Sequence, residues 1–202
     1  MKWGVMILAA GEASRMGMAK MLLPFKKRTI LAHLIEEIHS VAPNMIHLVT
    51  GHYHDLILAE VNTEKVNIVH NPDYKIGMSH SIQVGLTAML KTCPTLDFLI
   101  IVVSDQPFLN RSILRSLLIK QQETAKGIIA SFYNGIKGTP VLLSSAYFNQ
   151  LYNLTGDKGA RVILQQFPND VETVEFEKGE LDIDTVEDYE RFCNELNEDD
   201  VD

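Results

Sequence analysis

An apolar run, Val5 to Ala10, stops at Gly11 and gives way to a loop carrying Arg15, Gly17 and Lys20. Such a run bounded by glycine reads as a buried strand with a flexible loop at its carboxyl end. Glycine lets the backbone approach a ligand, and free amides in the loop make an anion-binding nest. Arg15 offers a planar fork of donors and Lys20 a compact point charge, the two kinds of cation that hold phosphate oxygens. The chemistry implied is capture of a triphosphate, with Leu8, Ala9, Ala10 and Gly11 supplying backbone. The plainer alternative is an ordinary strand-to-helix turn with solvated cations. A second apolar run, FLIIVV, leads through Ser104 to Asp105. Hard oxygen ligands suit Mg²⁺, which takes one or two carboxylates plus substrate phosphates. Asp105 could instead cap the next helix, but that helix starts after Pro107, where Asn110 is the better cap.

Further polar groups gather in three segments. In LDIDTVEDY, Asp182 and Asp184 point the same way if the chain is extended. Asp184 or Thr185 could equally cap a final helix whose first turn holds Glu187 and Asp188. NPDYKIGMSHSIQVGL sets Asn71 at a strand end and Gly77 before a helix, with Ser79 as its cap and Ser81 in its first turn. GDKGAR has the composition of a helix start capped by Asp157, and its amides with Lys158 and Arg161 would suit an anion. A salt-bridged surface helix is the competing reading there. His52 and His54 flank Tyr53 without a metal-like third partner, which favours solvated or core-edge roles.

Other cradles do not fit. A Walker loop needs GK followed by Ser or Thr, whereas Lys20 is followed by Met21, and no GxGxxG follows the first strand. A GxSxG nucleophile elbow is also missing.

The elements that must position these residues alternate. Helix-like spacing over Ile30–Val41, Asp55–Val61, 79–91 and Arg111–Glu123 separates apolar strands at Ile46–Thr50, Val66–His70 and Phe98–Val103. That order predicts βαβ units and a mostly parallel sheet, whose carboxyl edge would bind the ligand. Farther on, strands at Gly127–Phe132 and Thr139–Leu143 flank a hairpin-like YNGIKG. Helices at Ser145–Tyr152 and Asp157–Gln166, a strand at Val171–Phe176 and a helix at Val186–Leu196 complete the pattern. The expectation is one domain over residues 1–196 and an acidic tail over 197–202.

At 202 residues, with 46% hydrophobic and 22% charged side chains, the chain suits a single globular domain with a three-layer core. A net charge of −8 argues against a nucleic-acid surface, so an anionic substrate needs a local basic pocket. Arg15, Lys20, Lys26, Lys27 and Arg28 lie close enough in sequence to form one. Cys93 and Cys193 show no metal-like spacing, the amino terminus lacks a convincing cleavage site, and no apolar stretch reaches membrane-helix length. A cytoplasmic enzyme with reduced thiols is expected.

The run LAAGEASRMGMAK resembles the LAAGxxxRMGxxK signature of the MobA-like NTP transferase family, which includes molybdenum cofactor cytidylyltransferases. The resemblance extends from Leu8 to Asp188 with its motifs in family order. It implies an α/β, three-layer Rossmann-like nucleotidyltransferase fold and transfer of CMP from CTP, or of another NMP from its NTP, to the phosphate of molybdopterin cofactor. It further implies Mg²⁺ on Asp105, with Asp182 as second ligand and Asp184 as cap or second candidate. Arg15 and Lys20 would act on the triphosphate, and Asn71, Gly77, Met78, Ser79 and Ser81 would meet base and ribose. Gly138, Pro140, Asp157, Lys158 and Arg161 would line the acceptor side, with a molybdenum hydroxylase as client. LAAG is similar to the cytidylyl branch, and Ala10 in place of glycine would narrow the base pocket, consistent with a pyrimidine. Ser104 departs from the family's glycine before the metal aspartate. A guanylyl or sugar-phosphate nucleotidyltransferase, or a non-catalytic molybdopterin carrier, is the alternative.

Overall fold

In a computed structural model, the described residues are 1–12, 18–25, 27–42, 45–181, 183 and 185–199. Alternation of the apolar positions decides the layering. Within β1 (Trp3–Ala9) and just past it, Val5, Ile7 and Ala9 pack in one hydrophobic cluster while Met6, Leu8 and Ala10 pack in another. A strand whose successive side chains both meet core is covered on both faces.

The elements follow in order as a small hairpin of β2 (Pro24–Phe25) and β3 (Arg28–Thr29), α1 (Ile30–His39), β4 (Ile46–Thr50), α2 (His54–Glu60), β5 (Asn67–His70) and α3 (Met78–Thr92). Then come β6 (Phe98–Val103), α4 (Arg111–Thr124), β7 (Ile128–Tyr133), β8 (Ile136–Ser144), α5 (Phe148–Tyr152), α6 (Arg161–Gln166), β9 (Val171–Glu175) and α7 (Val186–Asp199). The main sheet has the order β5-β4-β1-β6-β8-β7-β9, with β8 alone antiparallel to its neighbours. Leu31, Leu34 and Ile38 of α1, Ile57 of α2, and Leu114 and Leu117 of α4 cover one face. Ile82, Leu86 and Met89 of α3, with residues of α5 and α6, cover the other. This is the expected three-layer α/β architecture. Phe192 of α7 packs with Ile183, Phe25 and Ile30 in a third, smaller cluster.

The parallel strands appear within two residues of their sequence-derived bounds. Strand β8 is longer than expected and β7 is shifted by one residue, because Asn134 and Gly135 both take positive φ (45° and 74°) and turn β7 directly into β8. The register slips between Ala130 and Ser131, which places Thr139 and Pro140 as extra residues in β8. Proline cannot donate to a ladder, so such an irregularity is where it fits, and its carbonyl accepts from Ser131 Oγ at 2.9 Å.

One ion pair locks the helix beyond the Asp105 loop. Glu37 of α1 accepts from Arg111 Nε (3.0 Å), Nη2 (2.8 Å) and backbone N (2.9 Å), satisfying an otherwise orphaned donor at the start of α4. Asn110 caps the same helix as expected, accepting from Ser112 and Ile113 amides. The hydrogen bonds from Arg111 hold the Glu37 carboxyl down at about 2 against burial, which pushes the other way. A depressed carboxylate stabilises the fold only while ionised. Its contribution is therefore complete above 4.5, the ordinary value, and disappears as pH falls through about 2. Glu37→Gln is expected to lower the melting temperature at neutral pH and to flatten its decline across that acid window, as thermal melts from pH 5 downward would record. An unchanged slope would contradict this account of the pair.

Candidate active site

β1 and β6 are parallel neighbours with Leu8 opposite Val103, so both open at the same sheet edge. The Ser104 amide donates to the Leu8 carbonyl at 3.1 Å, after which the two chains diverge and leave a crevice. Crevices of this kind outside carboxyl strand ends are where open α/β sheets bind ligands. The glycine loop returns as a 3₁₀ turn, Lys20–Leu22, anchored by Met21, which is buried against the α1 side of the core. That anchor holds Lys20 over the crevice, with Nζ 3.5 Å from Asp105 Oδ2. Sequence positions 20 and 105 thus meet at one point. Both line a cleft of about 470 Å³, together with Leu8, Ala9, Ala10 and Gly11.

The opposite wall comes from the segment between β5 and α3. Gly77, Met78 and Ser81 line the cleft, and so do Tyr74 and Lys75, which the sequence reading passed over. Asn71 and Ser79 sit behind this wall, not on it, being 0% and 2% exposed. The Asn71 side chain donates to Ser81 Oγ (2.9 Å), accepts from the Asp73 amide (3.1 Å) and pairs with His80 Nδ1 (3.0 Å). Its observed role is to brace the turn. The expected Ser79 cap is also corrected. Helix α3 begins at Met78 with Gly77 (φ 120°) preceding it, and the Ser79 amide instead donates to Gly156 carbonyl at 3.0 Å. A side chain at Gly77 would run into Gly156, so the two segments touch backbone to backbone.

Beside this cleft lies a smaller cavity of about 260 Å³. Leu8, Met78, Val103 and Asp157 line both spaces, so the two adjoin. Gly138, Thr139, Tyr133, Lys137 and Arg161 line the smaller one over an apolar floor. Pro140 and Lys158 line neither; Lys158 is exposed. Asp157 is not the expected cap, since α6 starts only at Arg161 with no side-chain cap bond. Its carboxylate belongs to the shared wall.

Ile183 donates its amide to the Asp105 carbonyl at 3.4 Å, which ties Ile183 to the Asp105 loop. Gln106, 3% exposed, adds a second tie through Nε2 to the Gly179 carbonyl at 2.8 Å. Arg15, Gly17, Asp182 and Asp184 lie outside the described residues. Thr185 caps α7, its Oγ1 accepting from the Asp188 amide while Asp188 Oδ2 accepts from the Thr185 amide. Of the described members of the anticipated basic cluster, Lys20 alone lines the cleft. Lys27 and Arg28 line a separate hollow with Glu36, Glu37 and Arg111, because the β2–β3 hairpin turns them away from Lys20; Lys26 lies outside the described residues.

A family model described as the MobA-like NTP transferase domain matches residues 5–172. Molybdenum cofactor cytidylyltransferase of Escherichia coli (strain K12) is 31% identical over 187 residues, covering 91% of each chain. Nicotine blue oxidoreductase of Paenarthrobacter nicotinovorans is 28% identical over 197 residues, covering 92% of this chain and 94% of its own. Among solved structures, a homologue of Mycobacterium tuberculosis Rv0371c from Mycobacterium sp. strain JC1 matches with a TM-score of 0.84 and 27% identity over 97% of both chains.

Proposed function

The chain belongs to the MobA-like NTP transferase family and is a nucleotidyltransferase, and from that premise we propose that it moves CMP from CTP to the phosphate of a molybdopterin-type cofactor. A terminal phosphate oxygen of the acceptor forms the new bond to the α-phosphorus, the bond between α- and β-phosphates breaks, and pyrophosphate leaves with the electron pair. The observation that carries this reading is the meeting of Lys20 and Asp105 in a cleft that adjoins a second cavity. One space would hold the donor nucleotide and the other the acceptor, with the transferred phosphorus near their shared wall.

Asp105 is a partly exposed carboxylate facing the cleft, a hard oxygen donor suited to Mg²⁺. Among the described residues no group of three or more His, Cys, Asp or Glu side chains could hold a metal. That fits an ion which takes much of its coordination from substrate phosphates, with Asp182 as the proposed second ligand. When bound, Mg²⁺ would neutralise charge on the phosphate oxygens. The chain's own share is positioning and electrostatics. Lys20 would donate to the α-phosphate as negative charge builds, and Arg15 would grip the leaving pyrophosphate. Arg161 and Lys137 supply positive charge to the acceptor cavity, whose apolar floor suits a flat ring system.

Pyrophosphate release from CTP, GTP and UTP, each with molybdenum cofactor and Mg²⁺, tests the reading. Release is expected with CTP and cofactor together. Preference for GTP or UTP would reassign the donor, and cofactor binding without pyrophosphate would favour a carrier. Oxidation or reduction of nicotine blue in place of pyrophosphate release would favour the chemistry named for the Paenarthrobacter relative.

A further inference from the structure

Resting on the nucleotidyltransferase reading, we propose that Lys75 is a nucleotide-binding residue that donates to an oxygen acceptor on the nucleoside monophosphate half of the donor. Three carboxylates, Glu12, Asp105 and Asp157, line the described part of the cleft, against two ammonium groups, Lys20 and Lys75. The Lys20 charge is already shared with Asp105. Lys75 has no ion-pair partner among the described residues; its ammonium stands 5.9 Å from the centroid of the neighbouring Tyr74 ring. An unpaired cation facing an anion-binding cleft in an acidic protein is a ready donor for substrate oxygen.

The backbone that carries Lys75 is set in advance. Tyr74–Ile76 form a 3₁₀ turn, with Ile76 amide donating to the Asp73 carbonyl (3.0 Å) and Gly77 amide to the Tyr74 carbonyl (3.1 Å). Buried Asn71 accepts from the Asp73 amide, and the Tyr74 hydroxyl bonds His52 Nδ1 at 2.8 Å. A donor held by such a turn loses little backbone entropy on binding.

Placement within the cleft selects the half of the nucleotide. Asp105 and Lys20 mark the end where phosphate and metal chemistry belong, beyond β6. Tyr74 instead follows β5 and packs near Gly51 and Ala10; a Cβ built on Gly51 would lie 2.8 Å from Tyr74 Cβ and 2.9 Å from Ala10 Cβ. A nucleotide whose phosphates lie toward Lys20 therefore extends its sugar and base toward Ala10, Tyr74 and Lys75. An ammonium only donates, so its match there is a base carbonyl, a ribose oxygen or the α-phosphate.

Calorimetric titration of wild type and Lys75→Ala with CTP, CMP and pyrophosphate, each with Mg²⁺, tests the assignment. About tenfold weaker binding of both CTP and CMP is expected, the size of one charge-assisted hydrogen bond at an open site, with pyrophosphate affinity unchanged. Unchanged CTP affinity would overturn the proposal, and so would a loss for CTP and pyrophosphate that spares CMP. Lys75 is exposed, so both proteins should melt alike. Lys75→Arg should restore most of the CTP affinity. Failure of wild type to bind any nucleotide would fall on the enzymatic reading itself, separately from Lys75.

Discussion

Asp105→Ala is expected to reduce turnover by about a thousandfold or more while leaving the fold intact. The expectation follows from what the carboxylate can and cannot be doing. It is one-third exposed and its ion pair with Lys20 spans 3.5 Å, so its worth to stability is that of a surface pair, about 1 kcal/mol at most. The loop beneath it is held by groups that the substitution leaves alone. Ser104 amide still bonds Leu8, Gln106 still bonds Gly179, and Asn110 still caps α4. What is lost is a hard oxygen donor 3.5 Å from the Lys20 ammonium. If Asp105 holds the proposed Mg²⁺, the site would lose a carboxylate that could hold the ion, and with it charge compensation for the triphosphate. Asp105→Asn keeps the shape and removes the charge, so it should fall nearly as far. Rates of pyrophosphate release and melting curves on the same preparations check both. Wild-type turnover from either variant would remove Asp105 from the chemistry, whatever the fold.

The fold was legible because its signals are local and mutually consistent. Short continuous apolar runs such as Val5–Ala10 and FLIIVV fit strands buried on both faces, and the helical spacings between them favour a mostly parallel arrangement. The hairpin was recognisable from Asn134-Gly135, which supplies two positive φ angles in succession. Residue 157 misled because composition near a helix start does not say where the first hydrogen-bonded turn begins. The chain spends Gly156 and Asp157 on contact with Gly77 and delays α6 to Arg161. Asn71 illustrates a second limit of spacing alone. A polar residue at a strand end can face the ligand or brace the loop, and only packing decides between them.

The cleft charges show the same division. Closeness in sequence grouped Lys20 with Lys27 and Arg28, yet the two-residue strands β2 and β3 fold back and send the later pair to another surface. Lys75 enters the cleft from a segment that sequence spacing never linked to Lys20. Its one visible signal was a lone lysine in the short turn before Gly77, at the edge where an α/β sheet binds its ligand. Contacts between segments 55 residues apart depend on the order of strands, and strand order is a property of the whole sheet.

Lys20→Ala is the sharper test of chemistry as against binding. Its side chain is only 16% exposed, and with its ammonium 3.5 Å from Asp105 and the turn anchored by Met21, the geometries it can adopt are limited. A preorganised donor is most valuable where charge develops, so kcat should fall about a hundredfold or more while KM for the nucleotide changes far less. Lys20→Arg keeps the charge but replaces the compact point donor with a longer planar fork, which would present its donors at other positions in the cleft. It should rescue only part of the rate. The double variant separates cooperation from coincidence. Lys20 and Asp105 meet at one point, so if they act on one transition state, the loss in Lys20→Ala/Asp105→Ala should fall well short of the product of the single losses. Fully multiplicative losses would mean that the two residues serve separate steps, and a rise in KM without loss of kcat in Lys20→Ala would make that lysine a binding residue only.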